Sequence, residues 1–223
     1  MYGYLKKNAD FDLAIEVMEK LVRSLLILHG AHLDGGNDVH HVIGTAYHNL
    51  GVVQMWASHF EDALLSFHAA VRIRTHCTMS NSTCLSVSLS KLGIIHFALD
   101  HFEDALECFE GCLKMKLGLD YTSSGELQNI SSIKMSLDPS SLEIGKIMNN
   151  LGMAFFHNGQ YLKSLHYLTQ SLEYYKSWIE SPLKRESLLF DASVVIGNVG
   201  RVYLEQGDFE MALYMYEEAF MVS

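Results

Sequence analysis

Proline is nearly absent from this chain, which has only two in 223 residues. Because proline removes a backbone hydrogen-bond donor and breaks helices, its scarcity leaves long helices uninterrupted. Cysteine is also scarce, with four residues, and no secretory signal is recognisable, so we expect reduced thiols rather than a disulfide framework. These shortages favour a helical protein of the cytoplasm.

Basic residues are few as well, with 16 Lys and Arg against 26 Asp and Glu and a formal charge of −10. Binding to nucleic acid or anionic lipid regardless of sequence needs clustered basic side chains, so we expect neither partner. Long apolar runs are missing too. The most apolar early stretch, residues 21–31, contains Arg23 and is shorter than the roughly 20 residues that span a bilayer. Proteins and peptides remain the expected partners.

What the chain does contain is a repeat. The segment HFEDAL occurs at residues 59–64 and again at 101–106, and aligning the two copies reveals two further ones. Every copy has a glycine, a small residue twelve positions later and a large residue sixteen positions later. These signature residues are Gly51, Ala63 and Phe67; Gly93, Ala105 and Phe109; Gly152, Ser164 and Leu168; and Gly200, Ala212 and Tyr216.

Each copy predicts two antiparallel helices joined by a short turn. Apolar residues around the glycine recur three and four apart, and the small and large residues of the second segment share one helical face. A glycine inside a helix costs about 1 kcal/mol relative to alanine, so its recurrence calls for a physical reason. We expect the glycine to let two helix backbones approach closely, with the small residue as the matching surface.

These segments resemble tetratricopeptide repeats. Phe155 and Tyr203 are the aromatic residues that the family has three positions after the glycine, whereas Gln54 and His96 depart from it. The resemblance implies an all-α fold, a right-handed α-solenoid of antiparallel helix pairs with a concave groove. It rests further on the pairs Leu50-Gly51, Leu92-Gly93, Leu151-Gly152 and Val199-Gly200.

The small residues of successive copies are 42 to 59 positions apart, more than the family's usual period of about 34. The 42-residue step, and the Asp-Pro turn before the Asn-Leu pair in segment 137–161, make the chain most similar to repeats of the kinesin-light-chain type. We predict one array over residues 1–223, as part of a longer protein. It has a partial repeat at 1–30, full repeats at about 40–76, 84–117, 141–178 and 189–223, and a serine-rich connection at 118–139.

The resemblance also implies a peptide-binding groove. An asparagine amide carries a donor and an acceptor, so a row of them can pair with the backbone of an extended peptide. Lys146 and Arg201 would favour a carboxylate on the ligand. The other interpretation, that these are solvated helix positions kept by repeat ancestry, stays open. The groove positions correspond to Asn49, Lys91, Asn150, Asn198, His48, Lys146, Asn149 and Arg201.

Nothing in the sequence predicts catalysis. We find no phosphate-binding loop and no nucleophile elbow, and Cys108 and Cys112 are interpreted as core thiols. The histidines of segment 29–41 flank a Gly-Gly turn that could bring zinc ligands together, but they are interpreted as residues on solvated helix ends, so no metal and no cofactor is expected. We predict a non-catalytic scaffold that binds a peptide or helix of a partner protein. The alternative is a regulatory or sensory repeat region of a larger multidomain enzyme or signalling protein, and self-association through open ends is a further expectation.

Overall fold

The computed structural model describes residues 2–30, 37–76, 82–119, 142–179 and 187–222. Every regular element within these residues is an α-helix, so the predicted all-α class is confirmed. In chain order the helices are α1 (Tyr2–Gly30), α2 (Asn37–Trp56), α3 (Phe60–His76), α4 (Ser82–Ala98), α5 (Phe102–Lys116), α6 (Leu142–His157), α7 (Tyr161–Ile179), α8 (Ser187–Glu205) and α9 (Phe209–Val222).

The chain divides into two compact units, Met1–His101 and Phe102–Ser223. In the first unit α1 packs on α2, α2 on α3, and α3 on α4. In the second, each helix from α5 to α8 packs on the one that follows it. The boundary falls inside the repeat predicted at 84–117, and the predicted connection at 118–139 lies outside the described residues from position 120 onward. Packing between sequence neighbours is the arrangement expected of helical repeats.

The turns between paired helices share one capping geometry. Ser58, which follows α2, has φ 64°, and the next amide, of His59, donates to the carbonyl of Gln54 at 2.9 Å. Asp100 has φ 60° and is followed by the same bond, from the amide of His101 to a carbonyl near the end of α4. A left-handed residue followed by this long-range bond is the Schellman cap. Each HFEDAL copy therefore begins at a helix cap, and its histidine belongs to the turn.

Glycine marks the contact between the two helices of a pair. A β-carbon on Gly51 would lie 3.1 Å from the ring of Phe67, and one on Gly200 would lie 3.2 Å from the ring of Tyr216. Both glycines and both rings hold the signature positions named above, so the close approach follows the repeat. Every signature residue except Tyr216 is buried; besides Gly51, Phe67 and Gly200, these are Ala63, Gly93, Ala105, Phe109, Gly152, Ser164, Leu168 and Ala212.

The partial repeat differs from its counterpart at the other end of the chain. Residues 9–11 align with the turn between α8 and α9, yet α1 runs through them without a break. That later turn has φ 80° at Gly207, and the aligned residue in α1 is Ala9. Because alanine disfavours positive φ, the helix continues where glycine would end it.

Candidate peptide-binding faces

The second unit brings α6 and α8 together through a pair of asparagines. Asn198 Nδ2 donates a 2.8 Å hydrogen bond to Asn149 Oδ1, and both side chains are half-buried. Neither amide makes another hydrogen bond within the described part of the chain. The two N–H donors of Asn149 and the carbonyl oxygen of Asn198 therefore have no hydrogen-bond partner among the described residues.

A cation lies on each side of this asparagine pair. Lys146 Nζ of α6 is 3.5 Å from Asp191 Oδ2 of α8, and the lysine side chain is 61% exposed. Arg201 of α8 lies over the ring of Phe156 of α6, with its guanidinium carbon 5.1 Å from the ring centroid. Because the ion pair is long and the lysine is largely exposed, the pair contributes little to stability. This cation–π contact holds the guanidinium against the ring, and Arg201 is exposed.

These three contacts follow both helices in the same order, so α6 and α8 run in the same direction. Lys146 and Phe156 are ten positions apart, which corresponds to about 15 Å along a helix. An extended peptide of about four or five residues covers that length. The face formed by α6 and α8 has an amide pair at its middle and a cation toward each end; it is referred to below as the α6–α8 face.

The remaining groove residues of the prediction have separate positions. Asn150 is half-buried in α6, next to Asn149, and has no contact with α8 comparable to that of its neighbour. In the first unit Asn49 is exposed on α2, and Lys91 is half-buried on α4. The sequence alignment had paired Asn150 with Asn198 because both stand two residues before a glycine. In the structure Asn198 bonds to Asn149, the residue before Asn150. Aligned sequence positions do not show this shift of one residue.

His48 sits at the contact of α2, α3 and α4. Its Nδ1 lies 3.0 Å from Ser88 Oγ, and its ring meets the ring of Phe67 edge-on at 5.4 Å. Burial, together with the charges of Arg74 and Lys91, lowers the pKa of His48 to about 4. The imidazole is therefore neutral at physiological pH, and its Nδ1 shares a hydrogen bond with the serine hydroxyl inside the helix contact.

The same contact contains a charged residue that the sequence interpretation missed. Arg74, at the end of α3, is buried, and donates from Nη1 to the carbonyl of Cys84 at 2.8 Å and to Ser88 Oγ. Its Nη2 donates to Thr45 Oγ1 at 3.2 Å. The side chain thus bonds to both α2 and α4. Its position seven residues after Phe67 places it on the core face of α3, and this spacing was the available signal.

The cysteines behave as core thiols. Burial raises the pKa of Cys108 to about 12, with Glu107 and Asp104 adding to the shift, and burial raises the pKa of Cys112 to about 12 as well. Neither thiol forms a thiolate at neutral pH, so neither is a ready nucleophile. Of the histidine segment at 29–41, the side chain of His29 and the whole of His32 lie outside the described residues.

Known proteins match this chain through structure. No protein-family model and no curated protein matches its sequence. One match is a solved structure from Podosopora anserina, described as a kinesin light chain with nearly identical TPR-like repeats. It has a TM-score of 0.68 over 97% of this chain and 88% of that one, at 16% identity. The chain has a tetratricopeptide-like repeat fold. The apo form of RapI matches with a TM-score of 0.62 over 99% of this chain and 69% of that one, at 14% identity.

Each predicted full repeat corresponds to two consecutive helices of the tetratricopeptide-like fold. In each predicted full repeat the glycine-bearing helix comes first, as α2, α4, α6 and α8, and the other helix of the pair follows it. MamA from RS-1 shares the fold with a TM-score of 0.56 over 97% of this chain and 94% of that one, at 12% identity. Within the described residues, no helix is long and apolar enough to cross a membrane.

Proposed function

We propose that this chain is a non-catalytic scaffold that binds an extended peptide or a helix of a partner protein on the faces of its first helices. The observation that carries the proposal is the α6–α8 face, where Asn149 and Asn198 keep free donors and an acceptor between two exposed cations. Amides of this kind pair with a peptide backbone, and the cations select for acidic side chains or a terminal carboxylate.

The ligand chemistry follows from the charges on this face. Arg201 is exposed, and stacking on Phe156 orders its guanidinium before a ligand arrives. Preordering reduces the entropy that binding must overcome. Lys146 forms an ion pair with Asp191, so a ligand carboxylate would compete with Asp191 for the lysine. We therefore expect a peptide of about four or five extended residues with an acidic group directed at Arg201.

Unit 1 offers a second, separate face in this proposal. Asn49 of α2 is exposed, and Lys91 of α4 is half-buried near the neutral His48. An amide and an ammonium give this face the same kind of peptide chemistry as the α6–α8 face, with fewer fixed contacts. Its role is tested by Asn49→Ala beside the variants of unit 2.

The test is a selection of random peptides displayed on phage against the chain of residues 1–223, followed by affinity measurement on the recovered sequences. We expect acidic peptides that lose at least about tenfold in affinity with Asn198→Ala or Arg201→Ala. Gln206→Ala, which removes an exposed amide from the turn after α8, is the matched control and leaves binding unchanged. Circular dichroism establishes that each variant keeps its helices. Equal binding of all recovered peptides to Asn198→Ala, Arg201→Ala and the control would overturn the proposal for this face.

A further inference from the structure

Three histidine rings meet where α3 packs on α4. His96, near the end of α4, is buried, whereas His68 on α3 and His101 in the turn after α4 are exposed. The ring centroid of His96 lies 5.4 Å from that of His68 and 5.8 Å from that of His101. All three residues belong to unit 1, and they are called the histidine cluster below.

The helix cap after α4 holds two of these residues in place. The amide of His101 donates to the carbonyl of His96 at 2.9 Å, so the Schellman cap fixes the spacing of their backbones. The third ring, of His68, comes from the neighbouring helix and meets His96 nearly at a right angle, with 83° between the ring planes. The cluster therefore joins α3 to the end of α4 through one buried imidazole that contacts both exposed rings.

The repeat pattern does not account for these histidines. Position 96 is three residues after the signature glycine, where the family has an aromatic residue, and position 101 belongs to the turn. Only this copy of the repeat has histidine at both positions. Since the other copies form the same helix pairs with different residues there, packing alone does not require imidazoles. The pairs at these positions in the other copies are Gln54 and His59, Phe155 and Gln160, and Tyr203 and Asp208.

The separations within the histidine cluster suit a shared metal ion. Imidazole nitrogens bind Zn²⁺ at about 2.0–2.1 Å, and tetrahedral coordination then puts the centroids of two such rings roughly 5 Å apart. One ring nitrogen of His96 already lies within 4.8 Å of one of His101. Because His68 and His101 are exposed, rotation of their side chains can bring a nitrogen of each onto an ion that His96 holds.

Three imidazoles also select the class of ion. Ca²⁺ and Mg²⁺ are bound by oxygen ligands, whereas histidine nitrogen suits zinc, copper and nickel. The two exposed rings leave the ion open to solvent, so water completes its coordination. A chain with a formal charge of −10 also attracts cations from solution. The ligand that fits the cluster is thus a divalent first-row transition metal, and zinc is the one that prefers tetrahedral sites.

We propose that the histidine cluster is a Zn²⁺ site, with His96 as the buried ligand and His68 and His101 as exposed ligands. The ion would connect the second helix of the first full repeat to the first helix of the next one. Because the three rings come together only in the folded chain, binding stabilises unit 1. The site shares no residue with the α6–α8 face or with segment 29–41, so it is independent of the proposed peptide binding.

Competition with a chromophoric zinc indicator measures binding of Zn²⁺ to the metal-free full chain. His96→Phe removes the buried ligand and keeps an aromatic ring, as Phe155 does at the aligned position, so the fold should persist. We expect it to weaken zinc binding at least about tenfold, because even the hydrogen-bond partners of metal ligands contribute that much. His68→Gln and His101→Gln should act in the same direction. His59→Gln is the matched control, because it removes the aligned, exposed histidine of the other HFEDAL copy and should leave zinc affinity unchanged.

Thermal unfolding with and without saturating Zn²⁺ gives a second readout. Zinc should raise the midpoint of the unmodified chain and of His59→Gln, and it should leave that of His96→Phe nearly unchanged. Circular dichroism establishes that each variant keeps its helices. The proposal is overturned if the unmodified chain does not bind zinc, or if His96→Phe binds it as tightly as His59→Gln does. It is also overturned if binding is lost only when His40→Gln and His41→Gln are combined, because the ion would then lie at segment 29–41.

Discussion

Leu168 occupies the space that a side chain on Gly152 would need. A β-carbon built on Gly152 would lie 2.6 Å from Leu168 Cγ and 3.2 Å from the backbone oxygen of Ser164. The leucine contact is shorter than the equivalent contact at Gly51, which is 3.1 Å from the ring of Phe67. Of these contacts, the one in the third repeat brings the paired helices closest together, and it requires glycine at position 152. This holds even though Ser164 replaces the usual alanine there.

We expect Gly152→Ala to destabilise the chain by about 1–3 kcal/mol, because the added methyl overpacks a contact that includes backbone. Urea denaturation followed by circular dichroism measures the change. The matched control is Gly197→Ala in α8, where a β-carbon meets nothing within 4 Å. That substitution should stabilise the helix by up to about 1 kcal/mol. Equal effects at the two positions would show that the close approach at Gly152 carries no cost.

The helix caps give a second prediction, which concerns Ser58. Its φ of 64° is a conformation that glycine adopts freely and serine does not, and its side chain is exposed. Ser58→Gly should therefore raise the free energy of unfolding by about 0.5–1 kcal/mol. Gly159 has the equivalent position after α6, with φ 71° and open space around it. Gly159→Ala should lower stability by about the same amount, and a loss of stability in Ser58→Gly would contradict this account.

The sequence was sufficient to predict those elements that local spacing determines. The glycine in the first helix of a pair and the large residue sixteen positions later, such as Gly51 and Phe67, repeat at fixed offsets, so their contact could be inferred. The bond between Asn149 and Asn198 could not, because it joins two repeats and depends on how far one helix shifts along the next. The buried Arg74 was missed for a related reason, since its acceptors lie on two other helices.

A third prediction concerns the position where the first full repeat departs from the family pattern. Gln54 is buried and accepts a 2.7 Å hydrogen bond from Ser66 Oγ, so a polar pair stands where an aromatic residue was expected. Ser66→Ala should cost about 1–3 kcal/mol, because it leaves the buried amide oxygen of Gln54 without that donor.

The double variant Gln54→Leu with Ser66→Ala removes both polar groups and should recover most of this loss. A double-mutant cycle in urea gives the coupling energy between the two side chains. Additive effects of the two single substitutions would show that the hydrogen bond contributes nothing to stability.

The final prediction is a pH dependence that originates at His48. Its pKa is about 4 in the folded chain, against an ordinary value of 6.5, because burial and the nearby Arg74 and Lys91 disfavour the imidazolium. Between these two pH values residue 48 binds a proton in the unfolded chain but not in the folded chain. The contribution of His48 is thus fully present above about pH 6.5 and is lost progressively as the pH falls toward about 4. Urea denaturation across this range should give a shallower loss of stability for His48→Gln than for the unmodified chain. His166→Gln removes an exposed histidine from α7 and should keep the unmodified slope; identical slopes in all three proteins would place the origin of the pH dependence elsewhere.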